Sequence, residues 1–239
     1  MNQSILEFTL QTKGTEYFVA IGFMILFIFF WRFLNAEKAP STAPVRTGVA
    51  EAVRNIRDMV GGFLVPDGYY FHPAHAWVKA EDSNTAYVGM SDFAQKLVGK
   101  IDDVRLPEIG SMVNTGEKLL TLKIGGKSID MLSPIHGKVV SVNPDVKKSP
   151  QIVNTDPYEK GWILGVKSPK LSAGLKGLLK GRLAAKWMEE VSDDLFLRMN
   201  NDLGMVYQDG GLPVEGMARM LDKDRWDEIV RDFLMVADQ

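Results

Sequence analysis

From Tyr69 to Ser168 the chain consists of short apolar runs, AWVKA, TAYVGM, KLLTLKI, SIDMLS, GKVVSV and GWILGV, separated by Gly, Pro and Asn turns. Runs this short, rich in β-branched residues and punctuated this often, read as antiparallel strands that close into a sandwich or flattened barrel. One stretch breaks the texture. In Ser91 to Val98, SDFAQKLV, a Ser-Asp cap precedes Phe93 and Leu97 four residues apart, which predicts a single short helix. Beyond Pro169 the period changes: Leu171, Leu175, Leu178, Leu179 and Leu183 lead into AAKWMEEV and DDLFLRM. Two more helices are expected around Val214 to Leu221 and Asp224 to Val236, the last with Trp226, Ile229, Val230 and Phe233 on one face. The fold class is therefore a mainly β central domain, over residues 66–168, with an α-helical C-terminal extension over 169–239.

Ahead of this domain, Tyr17 to Trp31 reads YFVAIGFMILFIFFW without a charge, and Phe33 and Leu34 follow Arg32. A stretch of roughly 18 apolar residues, at a rise of about 1.5 Å each, spans roughly the hydrocarbon thickness of a bilayer. Residues 17–34 are thus expected to form one transmembrane helix behind a short tail, 1–16. A cleaved signal peptide fits less well, because Glu7 and Glu16 precede the apolar run and no small-x-small site follows it. Arg32, Lys38, Arg46, Arg54 and Arg57 lie on the C-terminal side against Lys13 on the other. The positive-inside rule then places the globular part in the cytoplasm, on a single-pass protein of the inner or cytoplasmic membrane. Asn35 to Gly48, with Pro40 and Pro44, suits an extended linker. Val49, Val53, Ile56, Val60 and Phe63 recur at helical spacing around the Gly61-Gly62 interruption, so the 35–65 segment is read as linker plus a short amphipathic helix.

Composition excludes several functions. A net charge of -2 leaves no basic excess to neutralise a phosphate backbone, so nucleic acid is not expected as a partner. The chain has no cysteine, which removes disulfides, zinc-thiolate sites and a cysteine nucleophile. His72, His75 and His136 form no spacing that a metal requires, and no nucleophile-base arrangement or phosphate-cradling loop is present. Neither a metal nor a catalytic residue is expected, and the chain is not read as an enzyme. Met188, Met199, Met217 and Met220 fall in helical stretches where they are expected to fill a core. The basic residues Lys170 to Lys186 and the acidic Glu189, Glu190, Asp193 and Asp194 are expected on solvated helix faces.

Three stretches of the β region resemble the glycine cleavage H-protein. The first is His75-Ala76-Trp77-Val78 running into Ala86 to Gln95, AYVGMSDFAQ, with Ala76 where that family usually has an acid. The second is Leu106 to Gly110, LPEIG, with Val113 and Gly116-Glu117. The third and most specific is Ser149 to Tyr158, SPQIVNTDPY, followed by Gly161-Trp162. The signature residues are His75, Trp77, Pro134, Gly137, Asn154, Asp156, Pro157, Tyr158, Gly161 and Trp162. The resemblance implies a lipoyl/biotinyl-like domain, a flattened barrel of two antiparallel sheets with a short helix. It also implies a hairpin-tip lysine that is amide-linked to lipoate and carries an aminomethyl group between enzymes.

Counting back from Ser133-Pro134-Ile135-His136-Gly137, with Asp130 in its family place, puts the lipoyl-attachment position on Gly126, where there is no amine. Without any family, Gly125-Gly126 between two strand-like runs is a two-residue hairpin signal, since glycine supplies the positive φ of a type I′ turn. Lys127 is the alternative attachment point and Lys123 a more distant one, but a shift of one residue turns a strand side chain to the opposite face. Two functions follow. The favoured one is a non-catalytic, non-lipoylated subunit, without cofactor, anchored in a membrane and docked on other protein subunits of a larger, redox-type membrane complex. The other is a carrier with lipoate on Lys127, serving a lipoamide-dependent or heterodisulfide-reductase-like enzyme, or glycine cleavage itself.

Overall fold

The computed structural model describes residues 22–27, 58–203 and 213–236, with the side chains of 200–203 not described. The chain divides into two compact units, Met1–Glu51 and Ala52–Gln239. Of the first unit, residues 22–27 are described: they are helical, and Phe23, Met24, Ile25, Leu26 and Phe27 are exposed. Among the described residues no helix is long and apolar enough to cross a membrane. The remainder of the 17–34 segment, the 1–16 tail and the 35–57 linker region lie outside the described residues.

The second unit is mainly β, and its strands pair antiparallel. A six-stranded sheet has the order β3 (Tyr70–Phe71), β4 (Ala76–Ala80), β5 (Thr85–Met90), β11 (Leu164–Lys167), β10 (Gly137–Val142) and β7 (Met112–Val113). A three-stranded sheet consists of β6 (Asp103–Arg105), β8 (Lys118–Ile124) and β9 (Lys127–Leu132). Each of the six expected runs supplies one of these strands. The expected helix forms too: α1 spans Asp92–Val98, and the Ser91 side chain accepts from the Ala94 amide as its N-cap. Two short helices, α2 (Pro144–Lys148) and α3 (Ile152–Thr155), connect β10 to β11.

The expected amphipathic helix is corrected at its C-terminal end, its Val49, Val53 and Ile56 lying outside the described residues. The helical spacing of Val60 and Phe63 does not give a helix: β1 (Met59–Val60) and β2 (Phe63–Leu64) form a hairpin. Gly61 and Gly62 have φ of 55° and 85°, so both central residues adopt the left-handed conformation that closes a two-residue turn and ends any helix.

The C-terminal segment forms α4 (Leu171–Leu175), α5 (Arg182–Leu203), α6 (Met217–Leu221) and α7 (Trp226–Phe233). These helices complete the β core. Met188, Leu195 and Met199 of α5, Met217 of α6, and Trp226, Val230 and Phe233 of α7 belong to the same buried cluster as Phe93, Leu97, Ile124 and Ile129. α5 also seats the β1–β2 hairpin, since a Cβ at Gly61 would lie 2.0 Å from Ser192 Oγ. Three of the four methionines fill the core as expected; Met220 does not, being 40% exposed on the outer side of α6.

Candidate functional site

The β8–β9 hairpin is built by register. Leu122 faces Ile129, Lys123 faces Ser128 and Ile124 faces Lys127, leaving Gly125 and Gly126 as the turn. Their φ values, 55° and 82°, are the two positive angles of a type I′ turn. Asp102 braces the turn, its Oδ2 accepting from the Gly125 amide at 2.7 Å. Gly126 is exposed, and an added Cβ would meet nothing within 4 Å. The turn is thus sterically open at Gly126, yet its backbone suits a residue without a side chain.

Lys127 has a different environment. Residues directly opposite in an antiparallel pair share a face, so Lys127 lies on the side of Ile124, in phase with Ile129 and Met131, all three of which are buried. That face is covered by α6 and α7. The Lys127 ammonium forms an ion pair with Asp227 Oδ1, donates to the Asp224 carbonyl at 3.1 Å, and lies 5.6 Å from the centre of the Trp226 ring. Burial works against the charged form of Asp227, but the Lys127 ammonium outweighs it and holds the carboxyl below the usual carboxylate range. Arg231 assists from the same helix, with Nη1 3.1 Å from Asp227 Oδ2.

The other side of the turn is covered in the same way. The Arg219 guanidinium lies 4.5 Å from the Trp226 ring centre, and its Nη2 would be 2.2 Å from a Cβ on Gly125. Lys123, one register position back and on the opposite face, pairs instead with Asp103 at 3.1 Å. Sequence reasoning missed Arg219, Trp226 and Asp227 as parts of this site. The one signal available was the phase of Lys127 with Ile129 and Met131, which places its stem on a core-facing side.

The signature residues belong to the scaffold. Trp77 Nε1 donates to the Pro157 carbonyl at 3.0 Å. The Tyr158 hydroxyl donates to the Leu64 carbonyl at 2.6 Å and accepts from the Asp92 amide at 3.1 Å. Full burial pushes this phenol well above its ordinary pKa. Asn154 accepts from the Ile101 amide at 3.3 Å and donates to the Gly99 carbonyl at 2.9 Å, tying α3 to the end of α1. Asp156 caps a turn through the Glu159 amide at 3.0 Å, and Pro134 is buried beside Ser133 and Ile135. Gly137 and Gly161 permit close backbone approach: a Cβ would lie 2.6 Å from the Lys167 carbonyl oxygen and 2.4 Å from that of Asp156, respectively. Trp162 packs on Tyr87, with ring centres 4.8 Å apart.

His75 is buried at φ 62° with its ring stacked on Phe93 at 4.3 Å and beside Trp187 at 4.7 Å. Burial, helped slightly by His72, lowers its pKa to about 3, which keeps the imidazole neutral. Ring packing and neutrality make it part of the core. Among the described residues no group of acidic or histidine side chains is arranged to hold a metal ion.

The two antiparallel sheets and the β8–β9 hairpin are consistent with a lipoyl-type β domain. The family model of the glycine cleavage H-protein matches residues 69–191, and the chain belongs to that family. The probable glycine cleavage system H protein of Thermococcus gammatolerans is 36% identical over 132 residues, which cover 55% of this chain and 98% of that protein. The glycine cleavage system H protein of Coprothermobacter proteolyticus is 43% identical over 99 residues, 41% of this chain and 78% of its own. The crystal structure of a glycine cleavage system H protein from Mycobacterium marinum is 27% identical, covers 48% of this chain and all of its own, and superposes with a TM-score of 0.41.

The resemblance implies a lipoyl arm at position 126 of this turn. Amide formation needs a lysine amine: Gly126 has none, and that of Lys127 is engaged by Asp227, Asp224 and Trp226.

Proposed function

We propose that the chain is a non-catalytic, membrane-anchored H-protein-like subunit, without lipoate, that docks on or stabilises a larger membrane complex. The observation that carries this reading is Gly126, a residue with no side chain at the exposed tip where the resemblance expects the acyl-bearing lysine. A swinging-arm carrier must offer its amine on a rigid, exposed hairpin. This hairpin is exposed at its Gly126 tip, and offers a hydrogen atom there. The anchor is supported by the uncharged Tyr17–Trp31 run and by the exposed apolar side chains of residues 22–27, and the charge asymmetry favours a globular part on the cytoplasmic side. Additional contact surface is supplied by the C-terminal segment, where Leu197 of α5, Met220 of α6 and Met235 just beyond α7 are exposed apolar residues.

The test is intact mass and co-purification of the full chain, extracted in detergent from cells with active lipoylation. The expected result is an unmodified mass together with stoichiometric partner proteins. A mass gain equal to a lipoyl amide, lost in Lys127→Ala, would make the chain a carrier and overturn the reading. A bare, partnerless monomer would defeat the docking role.

A further inference from the structure

We propose that α6 and α7 form a built-in cap on the β8–β9 turn, an autoinhibitory contact that withholds the Lys127 amine from acyl donors and occupies the face beside the turn. Both ends of the two-residue turn are engaged by the same helical pair. On one end Arg219 lies over Gly125, where the lack of a side chain lets the guanidinium approach. On the other end Lys127 is held by Asp227 and the Asp224 carbonyl. Trp226 lies between them as a shared aromatic face, 4.5 Å from the Arg219 guanidinium and 5.6 Å from the Lys127 ammonium, and is itself buried. Two cations on one indole, with a carboxylate next to it, form a cluster in which each charge has a partner.

The capping residues have a separate origin in the chain. Arg219, Trp226 and Asp227 all lie beyond residue 191, where the family match ends, whereas the turn that they cover lies within it. The cap is therefore an addition to the shared domain, and it binds the element of that domain from which an acyl arm would project. The helices are anchored from below, because Val230 and Phe233 of α7 belong to the common core and Phe233 packs on Phe93 with ring centres 5.3 Å apart. The ion pair thus fixes the outer end of an element whose inner end is held by packing.

Acylation requires the free amine to attack a carbonyl: a C–N bond forms, the leaving group departs with the electron pair, and the ammonium's protons pass to the buffer. The Lys127 nitrogen, held by Asp227 and the Asp224 carbonyl and shielded on one side by Trp226, must leave these contacts before it can attack. The proposal is independent of the lipoylation state in cells: intact mass reports that state, whereas the cap is tested on unmodified protein.

The experiment is competitive acetylation of the full chain in detergent with an N-hydroxysuccinimide acetate ester, followed by peptide mass spectrometry. The expected result is that Lys127 reacts at least ten-fold more slowly than the exposed Lys138 and Lys147. In Asp227→Asn it should approach their rate, while Lys96, tied to Asp92 within the β domain, stays slow. Hydrogen exchange in the same variant should rise over Met217–Phe233 and not over β8. Equal rates for Lys127 and Lys138 in the unsubstituted chain would overturn the cap, and that comparison needs no variant to fold. A Lys127 that stays slow in Asp227→Asn, or unchanged exchange over the two helices, would also overturn it.

Discussion

The Lys127 ammonium and the Asp227 carboxylate, one hundred residues apart in the chain, form an ion pair beside the hairpin turn. The pair exists because strand register turns Lys127 toward Ile124 and the core-facing side of the small sheet, where α7 lies. Asp227 is 11% exposed at its side chain and Lys127 36%, so one partner is largely desolvated and the other keeps partial contact with water.

That asymmetry sets its strength. A fully exposed pair is worth roughly 0.2–1 kcal/mol, and burial of one partner raises the cost of leaving it alone. We expect Lys127→Met, Asp227→Asn and the double variant to give a coupling free energy of about 1 kcal/mol by urea denaturation. Additive single effects would show that the two side chains do not interact.

Trp226→Ala should be the most damaging change in the cap. The indole is 4% exposed and belongs to the main core cluster. Truncating a buried aromatic to Ala costs about 3–5 kcal/mol. Thermal unfolding should register this, and Trp226→Phe should recover most of it. A loss below about 1 kcal/mol would mean that α7 is not part of the core.

The two turn glycines should respond differently to Ala. At Gly126 the space is open and only the φ of 82° is unfavourable, so Gly126→Ala should cost about 1 kcal/mol and Gly126→Asn less. At Gly125 the new Cβ would also displace Arg219. Gly125→Ala should therefore cost more than Gly126→Ala and should raise hydrogen exchange in α6. Equal costs with no change in α6 would show that Arg219 does not hold the turn.

Stability should fall on mild acidification, and His75 sets the direction. Its folded-state pKa is about 3, below the unfolded value near 6.5, so between these limits the unfolded chain binds a proton that the native core refuses. The full stabilisation is present above pH 6.5 and is lost progressively as pH drops toward 3. At pH 5 the loss from this group is about 2 kcal/mol. His72, lowered by burial, contributes in the same sense. Denaturation at pH 7.5 and pH 5 should show the drop, and His75→Asn, which tolerates positive φ, should flatten it. An unchanged slope in that variant would remove His75 as the cause.

Much of the β domain was legible because its signals are local. The runs from Ala76 to Val166, the Ser91 cap and the Gly125-Gly126 turn each depend on backbone preferences a few residues long, and each forms as expected. The same locality misled at Val60 and Phe63, whose helical spacing was overridden by two left-handed glycines and by packing on α5. Met220 followed the helical period and still ended at the surface, because the period fixes a face but not which face is covered.

The amino-acid order by itself determined that a glycine pair closes the hairpin, that no amine stands at position 126, and that the surrounding strands alternate as they do. Only the tertiary structure decided what covers that hairpin. Nothing near Lys127 in the chain names Asp227, Trp226 or Arg219 as its neighbours, since a long-range partner is selected by how helices settle on a shared core. Local conformation is set by sterics within a few residues, whereas contacts between distant side chains exist only after the apolar faces of α6 and α7 have been buried.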